Sequence, residues 1–323
     1  MAISAATVAS DFNAAFRVPT MLDYVFERAA RQSVVQQLVP QVPMGGNGVT
    51  IPVVTSRPSA AWVAEAAEKK KVSGAIDIKS MEPHKLACIV VVSAEVVRAN
   101  PGGYVAQMRN SIGDSFAIAF DRAALHDEGD DGTASGGPFT TYLDQATKVS
   151  EIGAANAAAG GIHTDLVNAM SDIVTDTDSS GRRYRLTGWA LDSVLEPALW
   201  GSLDSTGRPL YTALPTGDTA DILASPGRIM GRNSWMGEGV ASANLTGVVG
   251  YAGDFSQARW GAIGGISFSV SDVAAVTINS ALVSLWEKNL IAIKAEAEYA
   301  FLVPDVDAFS KLTNIGNSPV TSS

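Results

Sequence analysis

AWVAEAAEKKKVSGAIDIKSMEPHKLACIVVVSAEVV, residues 61–97, holds the two patterns that decide the architecture. Its first half is polar and ends in an alternation, with Ile76 and Ile78 on one side and Asp77 and Lys79 on the other. A period of two predicts a β-ribbon with one covered face. Glu68, Lys69, Lys70 and Lys71 form a charged tip, so residues 56–82 read as a long hairpin projecting from a body. The second half turns apolar at Leu86 and stays so to Val92, the pattern of a strand buried on both faces. Ser93 then offers a helix cap, with Glu95 in the first turn where the helix dipole favours an acid.

Upstream of this stretch, Val49 to Thr55 is rich in β-branched residues and reads as a strand. Pro52 lacks a backbone donor, which limits that strand to an edge or a bulge. Residues 1–48 read as an arm with a helix over 21–38, carried by Leu22, Val25, Phe26, Ala29, Val34 and Leu38. Downstream, residues 104–127 predict a long helix. Val105, Met108, Ile112, Phe116, Ala119 and Phe120 share one face, while Ile118 and Leu125 fall on the far side. At ~1.5 Å per residue such a helix spans about 35 Å. A mixed lobe follows over roughly 151–280. It has a helix at 162–175, a strand at 185–191, a short helix at 193–203 and Gly-rich strands at 246–251 and 262–270. A returning strand at 290–301 sets Ile291, Ile293, Ala295, Ala297 and Tyr299 on one face, and the chain after Phe309 reads as a polar tail.

Composition bounds the function. The chain has 323 residues, 46% of them hydrophobic and only 17% charged. It is therefore long enough for a real core, and a low charge fraction suits a surface covered by neighbouring subunits. The net charge is −10, without the clustered excess of Lys and Arg that wrapping nucleic acid requires. If such a chain encloses DNA, it does so as a container rather than by gripping it. Cys88 is the only cysteine, so an intrachain disulfide is excluded, and its apolar setting reads as a small core residue. The N-terminal stretch lacks a basic start followed by an apolar block, and residues 86–97 are too short to span a bilayer. No membrane association is expected.

No reactive constellation emerges. His84, His126 and His163 match no metal-binding pair, and no G-x-S-x-G elbow nominates a nucleophile. Each histidine reads as a surface or interface residue. The loops beginning at Asp127 and at Asp176 carry acids and a glycine at calcium-loop spacing. They place Pro138 and Thr187 where the bidentate Glu belongs. The glycines at 247–250 and 261–265 match no phosphate cradle. Arg182 and Arg183, with Arg185, read as a solvated or partner-facing strand start. No cofactor and no metal are expected.

The order of parts carries more than any motif. Arm, long hairpin, apolar strand, capped helix, long helix, mixed lobe and returning strand together resemble the Hong Kong 97-type major capsid proteins of tailed bacteriophages. The resemblance rests on Trp62 and Glu65 in the hairpin, Lys85-Leu86 before the apolar strand, and Ser93-Ala94-Glu95. It rests further on Asp121-Arg122-Ala123 late in the long helix, Gly188-Trp189, Gly207-Arg208-Pro209-Leu210, Gly253-Asp254-Phe255 and the segment 305–309.

It implies an α+β fold of that type: an N-terminal arm (1–48), an extended hairpin loop (49–85), a peripheral domain with the spine helix (86–150 and 289–315) and an axial domain (151–288). It implies a non-enzymatic subunit that self-assembles into hexamers and pentamers of an icosahedral shell enclosing double-stranded DNA, made in a bacterial cytoplasm and located in the virion. Trp62, Glu65, Glu68, Lys69, Lys70, Lys71, Arg182 and Arg183 are the intersubunit contact candidates. A portal and a separate scaffolding protein are implied partners, and a decoration protein is compatible. Covalent crosslinking through the tip lysines is not expected. The readings set against this one are an encapsulin-type compartment shell and a soluble hydrolase.

Overall fold

The structure is a computed structural model. It describes residues 33–56, 58–65, 67–69, 71, 74–99, 104–129, 136–155, 160–177, 183–202, 208–209, 211–213, 225–242, 247–278 and 281–314.

Helix α1 (Val34–Leu38) is capped by Ser33, whose hydroxyl accepts from the Gln36 N–H. The expected helix over 21–38 is described only for this last turn; its earlier part lies outside the described residues. Strands β1 (Val49–Ser56) and β2 (Ala75–Met81) pair antiparallel as a two-stranded sheet of their own. Pro52 sits opposite Ile78 and the register slips between Val54 and Ser56. Both strands are edges, which is where a proline is tolerated.

Strand β3 (His84–Ser93) leads into α2 (Ala94–Ala99), and the Ser93 hydroxyl accepts from the Val96 N–H as the sequence predicts. The long helix α3 runs Tyr104–His126, ~35 Å of rod. Its buried face is the predicted one. Ile112, Phe116 and Phe120 are sealed, and Phe120 packs its ring against Phe139, Trp260, Tyr299 and Phe301. Leu125, predicted on the far side, is fully buried as well.

Strands β10 (Arg259–Ser271) and β13 (Leu290–Leu302) complete a three-stranded antiparallel sheet with β3, in the order β10-β13-β3. Ile293, Ala295, Ala297 and Tyr299 of β13 turn inward. The expectation that β3 is buried on both faces is corrected. It is an edge strand whose Lys85, Ala87 and Ile89 are exposed, Ile89 at 52%. An unbroken apolar run looks the same at a sheet's edge and at its centre; only the pairing decides. Cys88, on the inner side, is half-buried.

A second sheet has seven strands in the order β4-β14-β9-β5-β8-β7-β6. They are β4 (Lys148–Glu151), β5 (Gly188–Leu191), β6 (Tyr211–Ala213), β7 (Ser225–Ile229), β8 (Arg232–Met236), β9 (Val248–Gly253) and β14 (Phe309–Thr313). Helix α4 (Gly161–Val174) covers this sheet with Leu166, Ala169 and Ile173, and α5 (Glu196–Gly201) follows β5. The polar-tail reading after Phe309 is overturned: β14 inserts between β4 and β9. Phe309 and Leu312 are sealed, and so is Ser310, which shares a hydrogen bond with Ser150. Lys311 in mid-strand hid the pattern; its ammonium is paired with Asp144 at 2.7 Å. The strand predicted at 185–191 begins only at Gly188. A hairpin that sequence reading missed, β11 (Ala275–Ile278) and β12 (Ala281–Ser284), joins β10 to β13.

Candidate intersubunit surfaces

The ribbon β1–β2 shows what the chain leaves uncovered. Its register puts Pro52, Val54, Ile76 and Ile78 on one face. Ile76 and Ile78 are each 67% exposed and Val54 53%. The covered face expected of this alternation is therefore bare among the described residues. A two-stranded ribbon of this kind is marginal alone and gains stability from a partner. At its root, Met81 is buried with Ala300 and Leu302, which fixes the ribbon to the body.

Those of the predicted contact residues that the structure describes are exposed. Trp62 is fully exposed, at 105%. Glu65, Glu68, Lys69 and Lys71 are exposed along the connection between the arms, and Arg183 is exposed after α4. Lys70 and Arg182 lie outside the described residues. Sequence reading missed two further exposed groups. Val273, Leu282 and Trp286 project around the β11–β12 hairpin, and Val194 and Trp200 around α5. The alternation of Val276, Ile278, Leu282 and Ser284 about Asn279-Ser280 was the signal for that hairpin.

The interior polar groups serve structure. His126, expected at a surface, is instead buried at the end of α3. Its Nε2 lies 2.7 Å from the Val240 carbonyl, which only accepts, so Nε2 carries the proton. Nδ1 then accepts from the Tyr251 hydroxyl at 2.9 Å. Burial lowers the pKa of His126 and holds the Tyr251 hydroxyl well above its ordinary range. Asp144 lies 3.3 Å from the same hydroxyl and pairs with Lys311. This relay ties the spine helix to β9 and β14. His84 instead meets Phe139 edge-on, and His163 is half-buried on α4. Among the described residues no group of three His, Cys, Asp or Glu could hold a metal ion, and no helix is long and apolar enough to cross a membrane. The acidic loop positions 130–132 and 178–181 lie outside the described residues.

Among the described residues, the ribbon's apolar face and Trp62 stand exposed to a partner. The sequence profile of the phage capsid family matches residues 15–314. The chain belongs to the phage capsid family. This capsid protein is 40% identical over 297 residues to the probable major capsid protein gp17 of Mycobacterium phage D29, covering 91% of the chain and 88% of that protein. It is 41% identical to the gp17 counterpart of Mycobacterium phage L5, covering 91% and 87%. Among solved structures, a chain from Gordonia phage Cozz superposes with a TM-score of 0.65 at 22% identity, over 88% of this chain and 87% of that one. A chain from Mycobacterium phage Ogopogo gives 0.67 at 21%, over 88% and 92%. The fold is thus of the Hong Kong 97 type. The capsid protein works as an assembly of copies in the virion shell, and neither the compartment-shell nor the hydrolase reading is favoured.

Proposed function

We propose that this chain is the major shell subunit of a tailed phage, a structural rather than catalytic protein. It assembles as hexamers and pentamers into an icosahedral shell enclosing double-stranded DNA. The observation that carries the proposal is the ribbon β1–β2, whose apolar face has no cover among the described residues. In a shell, that face rests on a neighbour. The net charge of −10 suits a container that does not grip its contents. Assembly inside a bacterial cytoplasm, with a portal and a separate scaffolding protein and room for a decoration protein, completes the reading.

The proposed division of labour is an arm (1–48), an extended hairpin (49–85), a peripheral domain on the spine helix (86–150 and 289–315) and an axial domain (151–288). Sheet pairing supports one refinement. Strands β4 and β14 pair into the seven-stranded sheet, and β10 pairs into the sheet of β3 and β13. Residues 148–151 and 309–313 therefore go with the axial side, and 259–271 with the peripheral side.

The test is electron microscopy of the purified protein beside a variant lacking residues 56–81. The full chain should form closed shells, and the deletion should stay as small folded oligomers. Normal shells from the deletion overturn the proposal.

A further inference from the structure

Two short connectors join the seven-stranded sheet to the three-stranded one, and they lie side by side. Residues 254–258 lead from β9 into β10, and residues 303–308 lead from β13 into β14. The Asp254 N–H donates to the Ala308 carbonyl at 3.1 Å, and the Phe255 and Phe309 rings meet edge to face. Paired connectors between two packed sheets form a hinge, where a few residues absorb the φ/ψ change of a swing.

A third segment spans this hinge. Residues 33–44 run from α1 toward the ribbon and grip both sheets in turn. On one side, α1 packs against β5 and β8 of the seven-stranded sheet. Leu38 sits over Gly188 at the start of β5, where an added Cβ would stand 3.0 Å from Leu38 Cδ2. That close approach gives Gly188, singled out in the sequence beside Trp189, a role in holding the segment. On the other side the segment holds Trp260, the second residue of β10. The Trp260 indole N–H donates to the Val39 carbonyl at 3.0 Å and its backbone N–H to the Pro40 carbonyl at 3.4 Å. Its own carbonyl accepts from the Val42 N–H at 2.8 Å. Leu38 and Val39 are adjacent, so no slack separates the two grips. Upstream, Ser33 is tied to Asp121 of α3, and Val34, Val35 and Val39 are buried. A swing of the hinge must therefore pull Leu38 off Gly188 or strip the three hydrogen bonds from Trp260.

We infer that residues 33–44 are a strap that locks the angle between the two sheets, and that this locked angle holds the shell to one diameter. The locking is a property of the single subunit; its consequence for the shell rests on the reading proposed above. Closure of an assembly depends on the rotation between neighbouring copies. A subunit free to bend at its hinge offers a range of rotations, whereas a strapped one repeats the same few.

The experiment attaches spin labels at Ile89→Cys on β3 and Val149→Cys on β4, exposed residues of the two sheets, in a Cys88→Ser background. Double electron–electron resonance on the unassembled subunit should give one narrow distance distribution. Leu38→Ala combined with Trp260→Phe should broaden it while urea unfolding stays cooperative. Shells of that double variant should show several diameters under electron microscopy, where the parent shows one. A broad distribution in the parent, or one as narrow in the variant, overturns the locking. A broadened distribution with shells of the parental diameter alone overturns its link to shell size. Should the double variant not fold, Trp260→Phe alone keeps a ring, loses the bond to Val39 and must show the same broadening for the inference to stand. If the unaltered chain forms no shells, the shell reading fails, and the distance distribution still decides the locking.

Discussion

The Ser33 hydroxyl donates to Asp121 Oδ1 at 2.5 Å, joining the entry of α1 to the spine helix across 88 residues of sequence. The same carboxylate accepts from the Val34 N–H at 2.7 Å and the Val35 N–H at 3.2 Å. Asp121 is 1% exposed. One buried acid therefore takes the unpaired donors of a helix start and fixes where the N-terminal segment meets the body.

Burial pushes the Asp121 carboxyl up to about 7, against the lowering effect of its three donors. The folded state then holds a proton that the unfolded state releases near 3.8, so this group makes stability fall as pH rises from about 4 to 7. Asp121→Ala should lose ~2–4 kcal/mol through unsatisfied buried donors and should flatten that decline. Urea unfolding of the unassembled subunit at several pH values measures both. A variant as stable as the parent would show that the acid does not hold the arm.

His126 acts with the opposite sign. Its pKa is lowered first by burial, with the Lys311 charge adding and the Val240 carbonyl, Glu128 and Asp144 opposing. The unfolded state takes up a proton first, so this group's contribution is present above the ordinary value of 6.5 and is lost as pH falls below it. His126→Gln should reduce the acid sensitivity below pH ~6.5. Tyr251→Phe should cost about 1–2 kcal/mol by leaving Nδ1 unpaired. The same unfolding series reads both, and an unchanged acid limb in His126→Gln would refute the assignment.

Gly250 tests the packing of the seven-stranded sheet. A methyl group placed there would sit 2.5 Å from the Ala190 carbonyl oxygen and 2.8 Å from Leu191 Cδ2. Backbone cannot retreat cheaply in mid-sheet. Gly250→Ala should destabilise the subunit by roughly 1–3 kcal/mol, read as a lowered melting temperature. Gly201→Ala is the control, since nothing lies within 4 Å of its Cβ position.

Charging the ribbon separates folding from assembly. Ile76 and Ile78 are 67% exposed, so Ile76→Asp with Ile78→Asp should change subunit stability by less than about 0.5 kcal/mol. The same pair should abolish closed shells seen by electron microscopy, because an interface would bury two unpaired carboxylates. Intact shells would mean that this face meets solvent in the assembly.

Much of the architecture was legible in the residues. Periodicity located α3 to within a residue, Ser93 marked the start of α2, and alternation over β13 named its inner face. Local physics sets these features: which side chains share a helix face, and which hydroxyl reaches a free N–H.

What the amino-acid sequence determined by itself was the order of parts and the ribbon's alternating faces. Tertiary structure alone decided pairing and burial. Only pairing made β3 an edge and drew β14 into a sheet, and only packing took His126 inside. Those outcomes depend on contacts between residues far apart in the chain: Lys311 with Asp144, His126 with Tyr251 and Ser33 with Asp121. A residue's neighbours in sequence carry no record of such contacts. The stretch from Trp62 to Val97 shows both sides. Its pattern announced a ribbon and an apolar strand, while the bare face and the free edge became visible only in the pairing of the described residues.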